Sequence, residues 1–382
     1  MPGFEVIDKK ELKEISSIFH KGGGVLFRQG FENLRNDSFK VNEFEQDFKK
    51  KFNSKYALGV TSGTSALRVA LACKKIGKGD EVITQSFTFV ATVEAIVESG
   101  AKPICTEIDS TLNMCVKDLK KKITKKTKAV IVVHMLGTSA DLSEIKKICK
   151  KNNIILIEDT AWGIGAKYQK SFLGNFGDIG TYSFDFAKTL TTGEGGMIVF
   201  KKKKDYLFAK AWHDHGHENN PKFPRWEDTR KSSGFNFRMN ELQGAVGIVQ
   251  LKKFKKLFNI QTKNRNKIIK KIRLIKDIVI RKKPKNSTEA PEALIFSFKT
   301  SKLSKKFRNK FLKKGYSTKI LPEAITWHFS GSWSHIKELE LKKNDNFKKS
   351  KEILDKCVAI PIQYKMKKNF PNIVQQTIKE VI

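Results

Sequence analysis

One lysine of this chain lies in a segment that suits nucleophilic chemistry. Lys188 stands between an apolar run that begins at Ser183 and a glycine-rich turn that ends at Gly196, and residues 197–200 resemble a strand. A lysine that is buried or flanked by charges has a lowered pKa, so its amine can attack the aldehyde of a cofactor near neutral pH. Because the chain holds 75 Lys and Arg residues, a surface lysine in a hairpin is the alternative, and the other motifs must decide.

A buried carboxylate is the second candidate. Asp159 ends an apolar strand predicted at residues 154–157. An ionised carboxylate is costly in such a place without a cationic partner, and a pyridinium nitrogen would be one. Asp159 could equally cap a helix that starts after the strand.

Two further motifs suit the phosphate and the ring of the same kind of cofactor. Ser62, Gly63 and Thr64 lie between a predicted strand and a predicted helix, where backbone N–H groups and hydroxyls bind phosphate well. Helix capping alone would also explain these three residues. Phe89 lies where a strand end meets a helix, so its ring could stack on a cofactor or belong to the core.

The elements that must position these residues alternate between strands and helices. The alternation predicts an α/β fold with a mostly parallel, doubly wound sheet that binds ligands at the carboxyl ends of its strands. The predicted strands are 56–60, 81–84, 103–105, 129–133, 154–157 and 197–200, and the predicted helices are 66–73, 88–98, 142–150 and 240–258. We place a large cofactor-binding domain with an N-terminal arm at residues 1–250 and a smaller α+β domain at residues 251–382.

Together the motifs supply, in chain order, the parts of a pyridoxal 5′-phosphate (PLP) site: a phosphate cup, a stacking ring, a pyridinium carboxylate and a lysine. From Phe44 to Pro361 the sequence resembles the DegT-type sugar aminotransferases of the fold-type-I PLP enzymes. The segments that carry the resemblance most specifically are 61–67 (TSGTSAL), 87–92 (FTFVAT), 133–134 with Gly137, 157–159 (IED), 183–196 and 234–243 (GFNFRMNELQ).

The resemblance implies a role for each residue that faces the cofactor ring. Lys188 would carry the cofactor through a Schiff base and later move the proton between the substrate carbon and the cofactor. Asp159 would hold the proton of the ring nitrogen, and Phe89 would stack on the ring.

The resemblance also implies phosphate contacts and a partner subunit. Gly63, Thr64 and the Ser183 hydroxyl would contact the phosphate. Asn236 would reach the same phosphate from the neighbouring subunit. The implied assembly is a homodimer with shared active sites, which acts on a keto sugar and glutamate.

Two positions refine what the resemblance implies. Some relatives carry histidine in place of the lysine and act as dehydratases, so Lys188 favours transamination. The family usually has Gln or His three residues after the aspartate, where this chain has Trp162. An indole N–H can donate one hydrogen bond but cannot accept one, so Trp162 could only donate to the ring hydroxyl.

The acceptor sugar is predicted from segments 2–5, 24–28 and 215–221. They look most like the members that convert 8-oxo-3-deoxy-manno-octulosonate to 8-amino-3,8-dideoxy-manno-octulosonate, for lipopolysaccharide or surface polysaccharide. Arg28, Arg225 or Arg230 could bind the carboxylate of this acceptor bidentately, and each could equally be an ordinary surface or interface arginine. A nucleotide-linked 3- or 4-keto-6-deoxy sugar is the alternative acceptor, and a non-catalytic regulatory protein of the same fold is the second alternative.

Four histidines that follow the lysine segment in the chain could bind a metal ion or the substrate. His213, His215 and His217 are spaced by two and would share one face of an extended strand. A zinc site would need a fourth ligand and a closed geometry, so we predict no metal and favour recognition of a sugar acid or a loop that shapes an interface. His328 could help to close the substrate pocket beside Trp333, for which core packing is the alternative.

The composition limits the class of protein. Of 382 residues, 39% are hydrophobic, and neither an apolar run of 18 residues nor a leader-like start is apparent, so we expect no membrane span and no signal peptide. Five scattered cysteines without a CxxC pair favour reduced thiols and a cytoplasmic location. The net charge of +36 is spread along the chain without interleaved aromatic residues. We therefore expect no nucleic-acid partner and attribute the charge to solvated faces that also attract anionic substrates.

Overall fold

The computed structural model describes residues 3–220, 222–323, 325–341 and 346–382. The helices are α1 (Lys9–His20), α2 (Glu32–Arg35), α3 (Lys40–Phe52), α4 (Gly63–Cys73), α5 (Val90–Glu98), α6 (Val116–Lys122), α7 (Leu142–Lys151), α8 (Lys203–Trp212), α9 (Glu241–Ile272), α10 (Ser301–Lys313), α11 (Ile325–His328), α12 (Lys348–Leu354) and α13 (Phe370–Lys379). The strands are β1 (Tyr56–Val60), β2 (Glu81–Gln85), β3 (Lys102–Thr106), β4 (Thr127–Val133), β5 (Ile155–Asp159), β6 (Lys167–Tyr168), β7 (Ser171–Phe172), β8 (Ile179–Ser183), β9 (Gly196–Phe200), β10 (Ile278–Ile280), β11 (Ala293–Phe298) and β12 (Cys357–Pro361). Pro2 and Pro221, which belong to segments used for the substrate prediction, lie outside the described residues.

Seven of these strands form the central sheet, in the order β1-β9-β8-β5-β4-β2-β3. The pairs β2–β3, β2–β4, β4–β5 and β5–β8 are parallel. Strand β9 runs antiparallel to both β1 and β8. The predicted α/β class with a mostly parallel sheet is therefore confirmed.

Strand β4 shows why the sheet is covered on both faces. Ala129, Ile131 and Val133 pack in one hydrophobic cluster, and Val130 and Val132 pack in another. Because side chains alternate across a strand, the two clusters lie on opposite faces of the sheet. An apolar residue at each of these positions is typical of a strand with helices on both sides.

The carboxyl ends of four strands bring the candidate residues to one edge of this sheet. Gly63 follows β1, Phe89 follows β2, Asp159 ends β5 and Ser183 ends β8. Strand β1 has the same direction as β8, because β9 is antiparallel to both. Open α/β sheets bind their ligands at this edge.

The C-terminal part of the chain forms a second, antiparallel sheet of β10, β11 and β12. Its core joins Phe296, Phe307 and Val374 to the end of α9 at Ile272. Helix α9 continues well beyond the predicted end at residue 258, and the predicted division between residues 250 and 251 falls inside it, so the domain limits stay a prediction. Neither α9 nor any other described helix is both long and apolar enough to cross a membrane.

A buried acid next to Asp159 fixes the end of β5. Glu158 accepts hydrogen bonds from the backbone N–H groups of Gly174, Phe176 and Gly177 at 2.9, 2.6 and 2.6 Å. His134 Nε2 lies 2.9 Å from the same carboxylate. Burial alone would raise the pKa of Glu158, but the His134 ring and the N–H donors outweigh it and lower the pKa.

We expect Glu158→Ala to lower the free energy of unfolding by about 3–5 kcal/mol, because it leaves buried donors without their acceptor. Urea denaturation followed by circular dichroism measures the change. Glu144, a half-exposed acid paired with the exposed Lys147, is the control, and Glu144→Ala should leave the midpoint nearly unchanged. Equal midpoints for the two variants would contradict the anchoring role of Glu158.

Candidate active site

A cavity of about 390 Å³ lies at the edge where the strand ends meet. It brings together eight of the residues predicted from the sequence: Gly63, Thr64, Phe89, Asp159, Trp162, Ser183, Lys188 and His328. Four other predicted residues, all of them described, do not line it in this chain: Arg28, His215, His217 and Asn236.

Lys188 is held by the loop between β8 and β9. Its backbone N–H donates to the Asp185 carbonyl at 3.0 Å, and the Thr192 N–H donates to the Phe184 carbonyl at 2.9 Å. The loop then turns at Gly193, whose φ of +82° favours glycine. These bonds fix the backbone of Lys188 and direct its side chain into the cavity that it lines.

The Lys188 amine is buried and its pKa is lowered. The residue is 9% exposed, and burial is the main cause that lowers its pKa from 10.5 to about 8. The positive charge of Lys319 lowers the pKa further, whereas Glu292 raises it, as do two aspartates of the site. At neutral pH about a tenth of such amines are uncharged, which gives the cavity a nucleophile.

Asp159 is a buried carboxylate with both oxygens in hydrogen bonds. Oδ1 accepts from the Ala161 N–H at 3.1 Å, and Oδ2 accepts from the Thr92 hydroxyl at 3.0 Å. Burial raises the pKa of Asp159, so its charged form is stabilised only in part by these donors. A cationic ring nitrogen in the cavity would supply the remaining stabilisation.

The start of α4 forms the wall beside Ser183. Ser62 caps the helix, and its hydroxyl accepts a hydrogen bond from the Ser65 N–H at 3.0 Å. The first N–H groups of a helix lack intrahelical acceptors and bind anions. A Cβ on Gly63 would lie 2.8 Å from the Ser183 Cβ, so glycine is needed where the helix start meets β8.

Four aromatic residues line the cavity: Phe89, Trp162, Tyr182 and His328. The Phe89 ring, 43% exposed, lies 5.4 Å from the His328 ring between centroids. The Trp162 ring lies 3.4 Å from Lys188 Nζ and 4.6 Å from Lys319 Nζ. Sequence reasoning missed Lys319 and its ion-pair partner Glu292, because no spacing or motif links them to the lysine segment.

Arg28 is engaged inside the protein and does not reach the cavity. Its Nη2 lies 2.7 Å from Glu45 Oε1, and its Nη1 donates to the Gly59 carbonyl at 2.9 Å and lies 3.0 Å from His213 Nε2. His213 donates from Nδ1 to the Lys210 carbonyl at 2.7 Å. Burial and then Arg28 lower the pKa of His213 to about 3, so this ring is neutral.

The histidine segment is a turn, as the loop interpretation predicts, and not the extended strand on which the three rings would share one face. His215 has a φ of +54° and is exposed, whereas His217 is buried, with Nδ1 3.4 Å from Asp228 Oδ2. A left-handed residue reverses the chain, so the three rings cannot share one face. No three His, Cys, Asp or Glu side chains within the described ranges are grouped so that they could hold a metal ion.

The remaining candidates lie outside the cavity. Arg225 forms a two-pronged contact with Asp214, at 2.6 and 2.8 Å. Arg230 is exposed, with Nη2 3.4 Å from His217 Nε2. Asn236 is exposed as well. The cavity of this chain therefore lacks the arginines that were predicted to bind a sugar carboxylate.

The sequence matches the profile of the DegT/DnrJ/EryC1/StrS aminotransferase family over residues 32–379. The chain belongs to this family. GDP-perosamine synthase of Escherichia coli O157:H7 is 37% identical over 246 residues, which are 62% of this chain and 66% of that relative. The chain aligns with 56–66% of the length of three curated GDP-perosamine synthases, which is less than two thirds in each case.

Solved structures share the fold of this family member over nearly its whole length. An aminotransferase from Psychrobacter cryohalolentis superposes with a TM-score of 0.86 at 24% identity, covering 98% of this chain and 97% of the other. The PLP form of a putative sugar aminotransferase from Streptococcus pneumoniae gives a TM-score of 0.85 at 19% identity, with coverage of 98% and 97%. The family assignment and the shared fold confirm the predicted fold-type-I architecture and the predicted cofactor, PLP.

The residues of the cavity fit this cofactor. The start of α4 suits a phosphate, because Gly63 has no side chain to block its N–H groups. The buried Asp159 suits a ring nitrogen, and the Lys188 amine suits an aldehyde. The helix start, the carboxylate and the amine thus match the phosphate, the ring nitrogen and the aldehyde of PLP, in that order.

Proposed function

We propose that this chain is a PLP-dependent aminotransferase that moves an amino group from glutamate to a keto sugar. One observation carries the proposal: a buried amine with a lowered pKa, Lys188, and a buried carboxylate, Asp159, line the same cavity. The family to which the chain belongs supports it.

Lys188 and Asp159 would do the chemistry of the ring. When bound, PLP supplies an electron sink for the substrate carbon that exchanges its amino group. Lys188 would hold the cofactor, accept the proton of that carbon at Nζ and pass it to the cofactor side, and in the second half of the reaction its Nζ would carry a proton the other way, to the acceptor carbon. Asp159 would keep the proton on the ring nitrogen, held in place by Thr92 and the Ala161 N–H.

The other walls of the cavity would bind and orient the cofactor. The N–H groups of Gly63 and Thr64 and the hydroxyl of Ser183 would hold the phosphate. Phe89, whose ring is partly exposed into the cavity, would stack on the ring. The Trp162 N–H would donate to the ring hydroxyl, and His328 would contact the sugar.

A homodimer would complete the site. Asn236 is exposed and outside the cavity of its own chain, which agrees with its proposed contact to the phosphate of a partner subunit. The loop that holds His215 and His217 would approach the partner's cavity in the same way. A cytoplasmic location is proposed from the family chemistry and from the cysteine pattern.

The acceptor that we propose is a nucleotide-linked 3- or 4-keto-6-deoxy sugar. The name of the relative GDP-perosamine synthase supports this choice, since it describes an amino sugar linked to GDP. An octulosonic acid is the second candidate and rests on the resemblance of segments 24–28 and 215–220. Its carboxylate would need a cation, and Arg28 and Arg225 are already paired with Glu45 and Asp214.

We expect the PLP-loaded protein to release 2-oxoglutarate from glutamate when a GDP-linked 4-keto-6-deoxy sugar is supplied, with kcat/KM at least about tenfold higher than for 8-oxo-3-deoxy-manno-octulosonate. Coupled spectrophotometry measures the 2-oxoglutarate, and mass spectrometry identifies the amino sugar. Turnover of the octulosonate alone would contradict the proposed acceptor but would agree with the proposed aminotransferase activity. A protein that neither binds PLP nor turns over any acceptor would favour the regulatory alternative.

A further inference from the structure

Two oppositely charged side chains from the C-terminal part of the chain are buried beside the cavity. Lys319 and Glu292 are 8% and 2% exposed, and Lys319 Nζ lies 3.7 Å from Glu292 Oε2. Among the described residues, neither Lys319 Nζ nor Glu292 Oε1 has a hydrogen-bond partner. Buried charges that leave their hydrogen-bonding groups unused cost stability, so packing alone does not explain this pair.

Trp162 connects the pair to the lysine of the cavity. The Nζ atoms of Lys188 and Lys319 lie 3.4 and 4.6 Å from the centroid of the same indole ring. An indole ring attracts cations without neutralising them. The two ammonium groups are therefore held at most about 8 Å apart, a distance at which buried charges are little screened.

We propose that Lys319 and Glu292 are positioning residues of opposite sign for the Lys188 amine: Lys319 acts through its charge across the Trp162 ring, and Glu292 acts through its charge beside Lys319. Lys319 disfavours the ammonium form of Lys188 and so keeps a neutral amine available to take up an aldehyde. Glu292 opposes Lys319 and keeps Lys188 able to accept a proton. The proposal rests on the cofactor-binding role of Lys188 but not on the identity of the acceptor sugar.

The charges that surround Lys188 agree with this division of roles. Burial lowers the pKa of Lys188 to about 8, and Lys319 contributes in the same direction. Glu292, Asp185 and Asp159 oppose it. The two aspartates lie at the ends of β5 and β8, whereas Glu292 precedes β11 and Lys319 follows α10 and donates its N–H to the Ala359 carbonyl of β12. The C-terminal part of the chain therefore supplies charges of both signs.

The test measures the proton affinity of Lys188 in the cofactor-free protein. The rate of acetic anhydride labelling at Lys188 is followed by mass spectrometry from pH 6 to 11, in steps of about half a unit, because only the neutral amine reacts. We expect Lys319→Met to raise the apparent pKa of Lys188 by about one unit and Glu292→Gln to lower it by about one unit. The double variant should return close to the wild-type value.

Opposite shifts distinguish an electrostatic role from a structural one. Lys74, a largely buried lysine paired with Asp205 at 2.6 Å and remote from the cavity, is the matched control, and Lys74→Met should leave the profile unchanged. Shifts of both single variants in one direction, or no shift in folded variants, would overturn the proposal. If Lys319→Met does not fold, Lys319→Gln and its double variant with Glu292→Gln carry the same test.

Measurements of PLP binding and turnover, made beside the labelling profiles, separate this inference from the proposed function. If the wild-type protein fails to bind PLP or to turn over a keto sugar, the proposed function fails, whatever the labelling profiles show. If turnover is observed and the profiles do not move in opposite directions, only the roles of Lys319 and Glu292 fail. When the cofactor-free protein is mixed with PLP at pH 7, the rate of PLP uptake should fall about tenfold in Lys319→Met, as the fraction of neutral amine falls.

Discussion

Replacing Lys188 by alanine is expected to lower keto-sugar amination by about 1,000-fold or more, because one side chain both holds the cofactor and moves the proton. The change removes a buried side chain that lines the cavity and does not belong to the hydrophobic core. The folded state should therefore persist. PLP should still bind through the start of α4 and Asp159, although without a covalent bond.

Two measurements follow the Lys188→Ala variant. Steady-state turnover gives the loss of rate, and borohydride reduction followed by mass spectrometry shows whether the cofactor becomes fixed to the peptide that holds residue 188. Lys305, an exposed lysine of α10, is the control, and Lys305→Ala should keep both turnover and labelling. A variant at Lys188 that retains more than about a tenth of the activity would exclude this lysine as the catalytic base.

Six of the seven strands in the central sheet were predicted from the sequence, and β8 (Ile179–Ser183) was not. Apolar residues on both faces of a strand leave continuous runs such as 129–133, and these runs became β4 and its neighbours. The chain order of Gly63, Asp159 and Lys188 then predicted one cavity, because the carboxyl ends of parallel strands share one edge. Topology, and not local propensity, made this part of the site predictable.

Contacts between distant segments were not predictable in the same way. The spacing of the histidines at 213–217 left a shared face of an extended strand and a loop as alternatives, and the left-handed conformation of His215, which no spacing predicts, makes the segment a turn. Arg28 was predicted to contact substrate, yet it lies in the loop before α2 and its partner Glu45 lies in α3, and no sequence pattern indicates this pair. Lys319 is one of many lysines, and only the packing of its segment against Trp162 distinguishes it.

The charge of Asp159 is expected to be nearly as important for kcat as the amine of Lys188. The substitution Asp159→Asn removes this charge and keeps the shape of the side chain. An asparagine of the same shape can still accept from the Ala161 N–H and can donate to the Thr92 hydroxyl, which has lone pairs to receive it. It cannot balance a positive ring nitrogen. We expect a loss of about 100- to 1,000-fold in kcat, as for other groups that stabilise developing charge.

The Asp159→Asn substitution should lower kcat but should not lower the stability of the cofactor-free protein. Because burial raises the pKa of Asp159, its charged form destabilises the empty protein above that pKa, and the neutral amide removes this cost. The melting temperature of the cofactor-free variant at pH 7 should therefore equal or exceed that of the wild type, while PLP raises it less. Asp205→Asn, which breaks the remote ion pair with Lys74, should lower stability and leave kcat unchanged. An Asp159→Asn variant that melts earlier and retains its kcat would make Asp159 a structural cap and not the partner of the ring nitrogen.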